Sequence, residues 1–571
     1  MTYLEKYLKR ITDRGNIKLA ESVAKTAEDI GNKYIKNFSF MSHEVGLLFG
    51  NVQSGKTGQM FGVISKAADL GFSVFLLLTT DNIVLQQQTI DRVKADLPDY
   101  CICGENDDSI FLQNELMQAV IIVIKKNVRV LRKWSNVFAS TGFMRGNPLF
   151  IIDDEADAAS LNTLVNKNKQ SSVNKFLDKI KNESSCSIYL QVTGTPQALY
   201  LQTQTSGWQP MFTYYFKPGD GYLGGDFFFP KGRKGDCISF LDTLTNPARD
   251  VVLHHLAVSA QISASGGRVS NCLLHPSVRQ AAHDKFAHDI QKELDWCLEN
   301  ISGDFREALF KEYESIQPQK SDKCTFEMIY AEASAMLRHS AVRIFIMNGK
   351  NDVKSEYYSS GFNIVVGGNT LGRGVTFPGL HTIYYTRTSK KPQADTMWQH
   401  SRMFGYDRDP GLMKVYIDEH LYKLFSDINA TNNSIIAQVE QGCEKIKIYC
   451  TDGLSPTRKN VIDNKHVATF SGGTNYYPFD PENDSIEALD NLLASFDDEE
   501  PSYKVSLRLM KEILSHIISG EDFNVLSYIS FLDVFLSANP AAQGYLIVRR
   551  NRNIAKVHSC LFTILLILQK K

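Results

Sequence analysis

Residues 50–57 constrain the fold most, because they contain every fixed position of a G-x-x-x-x-G-K-[ST] phosphate-binding loop: Gly50-Asn51-Val52-Gln53-Ser54-Gly55-Lys56-Thr57. An apolar run at 45–49 precedes the loop and a helix-like pattern at 59–70 follows it. A strand, loop and helix in this order point backbone N–H groups at a phosphate, and the helix N-terminus adds its positive dipole end. The alternative is a chance match on a glycine-rich turn. Because the flanking pattern is right, we predict a nucleotide site in an α/β domain.

The side chains of this loop have separate expected roles. Lys56 is expected to reach the outer phosphates, and the Thr57 hydroxyl is expected to hold Mg²⁺. The predicted nucleotide contacts from this segment are Gly50, Gln53, Ser54, Gly55, Lys56, Thr57 and Gly58.

A second segment supplies the acids that a nucleotide hydrolase needs. The apolar run 150–152 leads into Asp153-Asp154-Glu155-Ala156-Asp157. In such a site one carboxylate holds the magnesium shell and the next orients or deprotonates the attacking water. We assign Asp154 to magnesium and Glu155 to water. An exposed acidic helix start is the alternative, since carboxylates favour helix N-termini.

Apolar runs separated by helical patterns organise most of the chain. Strands are predicted at 45–49, 74–78, 120–124, 149–152 and 188–192, and again at 272–274, 342–347, 362–366 and 382–385. The expected regions are a helical segment at 1–40, an α/β domain at 41–205, an irregular connector at 206–249, a second α/β domain at 250–450 and an accessory region at 451–571 with an acidic linker near 480–501. The aromatic cluster 227–229 is compatible with a partner surface or with a buried core.

The composition excludes some classes of function. The 571 residues carry a formal net charge of −1, so any surface for nucleic acid must be a local patch. No apolar run is long enough for a signal peptide or a membrane span, and we therefore expect a cytoplasmic protein without membrane contact. The spacing of the ten cysteines does not indicate a zinc site.

Several further segments resemble motifs of superfamily-two helicases. Thr193-Gly194-Thr195-Pro196 resembles motif III, residues 367–376 resemble motif V, and residues 399–408 resemble motif VI. Together with Asp153-Asp154-Glu155-Ala156-Asp157 and Asp395-Thr396-Met397-x-Gln399-x-x-Arg402-x-Phe404-Gly405-Tyr406, they make residues 40–450 similar to the Z1-domain family. That family consists of superfamily-two-like ATPases of bacterial restriction and anti-phage defence operons.

The resemblance implies two RecA-like parallel-sheet domains in tandem, followed by a mainly helical C-terminal region. ATP with Mg²⁺ would lie between the domains, in contact with Gly374 and Gln399. Arg402 or Arg408 would act as an arginine finger. The two arginines lie six positions apart in the sequence, and we favour Arg402. Nucleic acid would run over both domains in contact with a set of strand-end residues, namely Thr79, Thr80, Thr193, Thr195, Thr370 and Arg373. Turn or cap chemistry is the alternative for each threonine.

Three functions remain open at this stage. The first is an ATP-dependent nucleic-acid translocase that acts on DNA rather than RNA and works with other defence proteins. The second is an ATP-dependent endonuclease with its active site in the C-terminal region, although no nuclease motif is evident there. The third is an ATP-switched interaction protein. Residues 557–571 differ in character from the preceding segment, which predicts a C-terminus that is truncated or frame-shifted relative to the family.

Overall fold

The computed structural model describes residues 1–114, 116–202, 206–277, 279–348, 355–368, 375–389, 391–400, 402–443, 446–451, 454–462, 486–497, 500–517 and 525–548. The chain divides into two compact units, residues 1–463 and 464–571. The larger unit contains two parallel sheets, each covered by helices. This confirms the predicted fold class of two parallel-sheet α/β domains.

The first sheet has seven strands in the order β3-β4-β2-β5-β6-β1-β7. They are β1 (His43–Phe49), β2 (Val74–Thr79), β3 (Cys101–Cys103), β4 (Val120–Lys125), β5 (Leu149–Asp154), β6 (Ser187–Thr193) and β7 (Phe212–Tyr215). Every pairing is parallel. The central strands are apolar along their whole length because helices cover both faces of the sheet.

Helices accompany this sheet along the first half of the chain. They are α1 (Tyr3–Asp13), α2 (Ile17–Ile30), α3 (Lys56–Asp69), α4 (Ile83–Asp96), α5 (Asp108–Asn114), α6 (Val128–Ser140), α7 (Ser172–Lys181) and α8 (Gln197–Tyr200). A capping box formed by Thr2 and Glu5 begins α1. The first two helices pack on α3, where a Cβ added to Gly62 would lie 2.5 Å from Val23. The segment 1–40 therefore covers the helix that follows the phosphate loop.

The second sheet has six parallel strands in the order β10-β11-β9-β12-β13-β8. They are β8 (Ile238–Phe240), β9 (Val269–His275), β10 (Val342–Met347), β11 (Gly361–Gly367), β12 (Leu380–Tyr385) and β13 (Lys414–Ile417). The helices of this half are α9 (Gly225–Phe228), α10 (Pro247–Ala264), α11 (Gln280–Glu299), α12 (Asp304–Ser315), α13 (Phe326–Arg338), α14 (Ala394–His400) and α15 (Glu419–Glu440). All nine strands that the sequence predicts are present in the two sheets.

The connector 206–249 has more regular structure than its glycine- and proline-rich sequence indicates. It contributes β7 to one edge of the first sheet and β8 to one edge of the second. Both strands are short and sit at an edge, where only one neighbour is needed to hold them. Within the same segment Phe228 and Phe229 are buried, and Phe229 stacks on Phe425 with ring centroids 5.3 Å apart. The described aromatic cluster is therefore mainly core.

The described part of the second unit contains α16 (Ile486–Leu493), β14 (Tyr503–Ser506), α17 (Leu507–Ser515), α18 (Val525–Ala538) and β15 (Gln543–Leu546). The two strands form an antiparallel pair. Leu507, Met510 and Leu546 are buried in its core. The segment 557–571, for which the sequence predicts a truncated or frame-shifted end, lies outside the described residues. Among the residues that the structure describes, no helix combines the length and the apolarity of a membrane span.

Candidate nucleotide-binding site

The phosphate loop connects β1 to α3 as the sequence predicts. Gly55 has a φ of 93°, in the left-handed region that glycine adopts without strain, and α3 begins at the next residue. Asn51 organises the loop through its carbonyl oxygen, which accepts hydrogen bonds from the Ser54 hydroxyl at 2.7 Å and from Lys56 Nζ at 3.1 Å. Side-chain hydrogen bonds to its own backbone therefore stabilise the loop, and one of them holds Lys56 against it.

The remaining glycines of the loop have packing roles. A Cβ added to Gly50 would lie 2.1 Å from the Phe216 ring. Gly58 is buried, and its carbonyl accepts a hydrogen bond from the Tyr7 hydroxyl at 3.2 Å. Gly194, in the segment that resembles motif III, would place an added Cβ 3.2 Å from Lys56 Nζ. That segment therefore closes one side of the phosphate loop, whereas Gly58 faces the N-terminal helices.

A buried lysine arranges the acids at the end of β5. Lys126 Nζ donates to Asp153 Oδ1 at 2.8 Å and to the carbonyls of Asp154 and Glu155 at 2.7 and 3.0 Å. The Tyr189 hydroxyl donates to the other oxygen of Asp153 at 2.7 Å. Asp153 is therefore a structural acid, and the next two acids are the ones available to a ligand. Nothing in the sequence pattern indicated this role for Lys126.

Glu155 lies close enough to Asp154 to affect the ionisation of the Asp154 carboxyl. Burial and the negative charge of Glu155 raise the pKa of Asp154 to about 6, against the opposing effects of Lys56 and Lys126. Glu155 has a φ of 55°, a left-handed conformation that a non-glycine residue adopts only under constraint. A divalent cation beside these acids would relieve the repulsion between them.

The donor set suits magnesium in its chemistry. A threonine hydroxyl at Thr57 and a carboxylate at Asp154 are hard oxygen ligands, which Mg²⁺ prefers together with water and phosphate oxygens. Among the described residues, no group of three or more His, Cys, Asp or Glu side chains is placed to hold a metal ion by itself. The site therefore fits a cation that brings its remaining ligands with a nucleotide.

Gln399 of α14 joins the second sheet to the acids of the first. Its Nε2 atom donates to Thr195 Oγ1 at 2.5 Å, to Glu155 Oε2 at 3.2 Å and to Asp157 Oδ2 at 3.3 Å. Asp157 also accepts from the hydroxyls of Thr193 at 2.7 Å and Thr195 at 3.1 Å. A buried polar network thus connects the two domains at the predicted water-activating residue.

This network corrects the expected role of Thr193 and Thr195. Both threonines have 0% exposure, and both hydroxyls donate to the buried carboxylate of Asp157. In this arrangement they are not exposed to a nucleic acid; instead they fix Asp157. Thr79 is also buried, with its hydroxyl 3.5 Å from the Ile124 carbonyl, whereas Thr80 is half-buried. Thr370, Arg373 and Gly374 lie outside the described residues.

Arg408 extends from the second domain to the phosphate loop. Its guanidinium is 1% exposed, pairs with Asp407 at 2.5 Å and lies 3.4 Å from Gln53 Oε1. It also donates to the carbonyl of Arg402 at 2.9 Å. Gly405 makes room for it, because an added Cβ there would lie 2.1 Å from Arg408 Nη1.

Arg402 has a different environment. It is 5% exposed, has a φ of 55° and lies near His275, whose pKa is lowered by burial and by several cationic neighbours that include Arg402. The sequence favoured Arg402 as the arginine finger. In this structure the Arg408 guanidinium contacts the side chain of Gln53 in the phosphate loop.

Three tyrosines that the sequence did not single out for this site also hold the loop. The hydroxyl of Tyr222 donates to the Val52 carbonyl at 2.5 Å, and that of Tyr406 donates to the Ser54 carbonyl at 3.1 Å. The third, Tyr215, donates to the Asn51 side chain at 2.8 Å. Tyr406 was within the motif VI segment, but nothing in the local pattern of Tyr215 or Tyr222 indicates these contacts.

Some buried polar atoms at this interface have no hydrogen-bond partner in the described part of the chain, and two of them lie next to the candidate site. They are the carbonyl oxygen Oε1 of Gln399 and the guanidinium nitrogen Nε of Arg408. One is an acceptor and the other a cationic donor, which matches a water molecule and a phosphate oxygen as partners. The residues at the cleft therefore fit a bound nucleotide.

Comparisons with known proteins agree with part of the sequence resemblance. Residues 251–454 match the Z1 domain, and residues 470–563 match the C-terminal domain of the restriction endonuclease CglI H-subunit. No curated protein matches the chain. The resemblance to the Z1 family is thus supported over the second domain, and its restriction context is supported by the C-terminal match.

Solved structures with a related arrangement include two nucleic-acid enzymes. The ATP-dependent Type ISP restriction-modification enzyme LlaBIII bound to DNA aligns with 76% of this chain at 12% identity and a TM-score of 0.39, and the chain spans only 31% of that enzyme. The Pyrococcus furiosus Hef helicase domain aligns with 69% of this chain and 95% of its own length, at 11% identity and a TM-score of 0.33.

Proposed function

We propose that the chain is an ATP-hydrolysing nucleic-acid translocase with two RecA-like domains, directed to DNA and active in a bacterial restriction or anti-phage defence system. One observation carries the proposal. Gln399 of the second domain donates to Glu155 of the first, so the second domain helps to position the residue predicted to activate water. A site divided in this way changes when the domains move, which is what coupling hydrolysis to movement requires.

The chain's own residues have the following roles in this proposal. Lys56 binds the outer phosphates, and Thr57 and Asp154 hold Mg²⁺, which when bound neutralises phosphate charge. Glu155 orients the attacking water and accepts its proton, while Gln399 holds the carboxylate of Glu155 in place.

An arginine from the second domain completes the site. We propose Arg408 for this role, because its side chain lies beside Gln53 of the phosphate loop and its Nε atom lacks a partner in the described chain. An arginine finger contributes about 10³–10⁵ in rate. Burial lowers the pKa of Arg408, but the negative charge of Asp407 opposes this shift. The guanidinium therefore remains a cation at neutral pH. Arg402 supports this geometry through its carbonyl.

The track and the cellular role rest on coarser support. Thr80, which follows β2, remains with Thr370 and Arg373 a proposed contact for the nucleic-acid backbone, whereas the Thr79 hydroxyl is buried against the Ile124 carbonyl. The match of residues 470–563 to a restriction endonuclease subunit supports a restriction role that involves further protein subunits. We propose translocation rather than strand separation, because strand separation needs a wedge element and none is recognisable in the sequence.

ATP hydrolysis by the purified chain tests this proposal. Turnover is measured with no polymer, single-stranded DNA, double-stranded DNA and RNA, and Lys56→Ala serves as the blank. We expect stimulation by DNA that is lost in Lys56→Ala, and a Glu155→Gln variant that binds ATP without hydrolysing it. Turnover that no polymer changes would overturn the motor and support an ATP-operated switch instead. Polymer cleavage that persists in Lys56→Ala would support a nuclease.

A further inference from the structure

A short segment after the second domain contacts both halves of the candidate site. We call residues 454–462 the clasp. At its first end Leu454 is buried in the core of the second domain. The backbone of Ser455 pairs with the strand-like segment before α14, accepting from the Ala394 amide at 2.8 Å and donating to the Pro392 carbonyl at 3.0 Å. The Thr457 hydroxyl, which is fully buried, donates to Asp395 Oδ2 at 2.6 Å.

The other end of the clasp contacts the first domain. Arg458 Nη2 donates to the carbonyls of Asp157 and Ala158, at 2.8 and 2.5 Å. Further along, the Asn166 side chain donates to the Ile462 carbonyl at 2.9 Å. Consecutive residues, Thr457 and Arg458, therefore hold opposite domains.

The residues that the clasp contacts lie next to both partners of the hydrogen bond between Gln399 and Glu155. Asp395 lies in the first turn of α14, the helix that presents Gln399 to Glu155. Asp157 lies two residues after Glu155, and its carboxylate accepts from Gln399. The clasp thus fixes the backbone on both sides of the contact that carries the proposed function.

We propose that Arg458 is a positioning residue for ATP hydrolysis, which holds the turn after Glu155 in register with Gln399. The proposal rests on the proposed function, since it assigns Arg458 to the same hydrolytic site. Arg458 acts through the backbone of residues 157 and 158. Both hydrogen bonds come from its Nη2 nitrogen, so a lysine ammonium, which carries three donors on a shorter side chain, can replace them in part.

The test compares Arg458→Ala with Lys459→Ala, a matched control at the exposed neighbouring position. In Arg458→Ala we expect kcat for ATP to fall roughly 10- to 100-fold, the loss that follows removal of a charged group's paired hydrogen bonds. KM and the affinity for a fluorescent ATP analogue should change less than about twofold, because the two carbonyls that Arg458 holds, those of Asp157 and Ala158, lie outside the phosphate loop. Arg458→Lys should recover part of kcat, and Lys459→Ala should resemble the wild type.

A second readout does not need hydrolysis. Amide hydrogen exchange in a peptide that spans residues 150–162 should accelerate in Arg458→Ala, while exchange in residues 74–79 of β2 stays unchanged. If the wild type does not hydrolyse ATP, the proposed function fails, and the exchange measurement still decides whether Arg458 orders this turn. Unchanged exchange in Arg458→Ala would overturn the positioning role. An unchanged kcat would also overturn the positioning role. A general loss of stability with an equal loss of nucleotide affinity would overturn it as well.

Discussion

Replacing Asp154 with asparagine should stabilise the metal-free protein while abolishing hydrolysis. The folded structure keeps this carboxylate beside Glu155 and largely away from water, so its charged form is disfavoured. An asparagine keeps the shape of the side chain, and its Oδ1 atom can still accept the 3.1 Å hydrogen bond from the Glu155 amide. The substitution therefore removes the charge with little change in packing.

The size of the effect follows from the raised pKa. The shift from 3.8 to about 6 is one of about 2 units, and at about 1.36 kcal/mol per unit it corresponds to ~3 kcal/mol. The folded state binds the proton more tightly than the unfolded state, so stability falls as the pH rises from 3.8 to about 6 and stays low above it. The asparagine side chain does not titrate, so the variant gains the full amount at pH 8 and about half at pH 5.

Thermal unfolding in EDTA measures this difference. We expect the Tm of Asp154→Asn to exceed that of the wild type by roughly 2–5 °C at pH 8 and by clearly less at pH 5. Asp284→Asn, at an exposed position of α11, is the matched control and should show no such difference. With Mg²⁺ and ATP present, the wild type should gain stability that the variant lacks. An Asp154→Asn Tm no higher than the wild type's at pH 8, or a gain independent of pH, would refute the electrostatic account of this site.

Two further substitutions test the surroundings of the site. Lys126→Met leaves Asp153 buried without its ion-pair partner and should reduce the free energy of unfolding in urea by about 3–5 kcal/mol. Adding Asp153→Asn to this variant should largely reverse the loss. A Lys126→Met variant as stable as the wild type would contradict the structural role of the pair. Gly405→Ala should displace the Arg408 guanidinium and lower kcat at least tenfold, whereas Gly232→Ala, at another positive φ but with open space around it, should leave kcat unchanged. Equal kcat in the two glycine variants would exclude the proposed contact.

The strands were predictable because burial on both faces makes them continuous apolar runs. All nine predicted strands exist, and most extend one or two residues beyond the predicted bounds. The strands that the sequence did not predict have three or four residues each, and they are β3, β7, β8, β13, β14 and β15. A strand this short depends on pairing with a neighbour rather than on its own pattern, and that pairing is non-local information.

The site shows the same division between local and non-local signals. Phosphate-loop and acid positions were predictable because each motif is contiguous in sequence. Lys126, Tyr222 and Arg458 were not, since each acts through residues 27 or more positions away, and nothing in the surrounding pattern marks them. Thr193 and Thr195 were given the wrong surroundings for a related reason. A strand-end threonine is visible in a sequence, but whether its hydroxyl faces solvent or a buried acid is not.

Several polar contacts cross between the two domains, and contacts of this kind suit the domain movement of the proposed function. These contacts of Gln399, Arg408 and Arg458 are hydrogen bonds to side chains and carbonyls, which water can replace when the domains separate. Such bonds contribute only about 0.5–1.5 kcal/mol net each, or somewhat more when one partner is charged. An apolar interface of the same extent would resist opening far more strongly, because its exposed surface gains no partners in water. A nucleotide that satisfies the unpartnered atoms of Gln399 and Arg408 would therefore shift the balance toward the closed form, and its hydrolysis and release would return it.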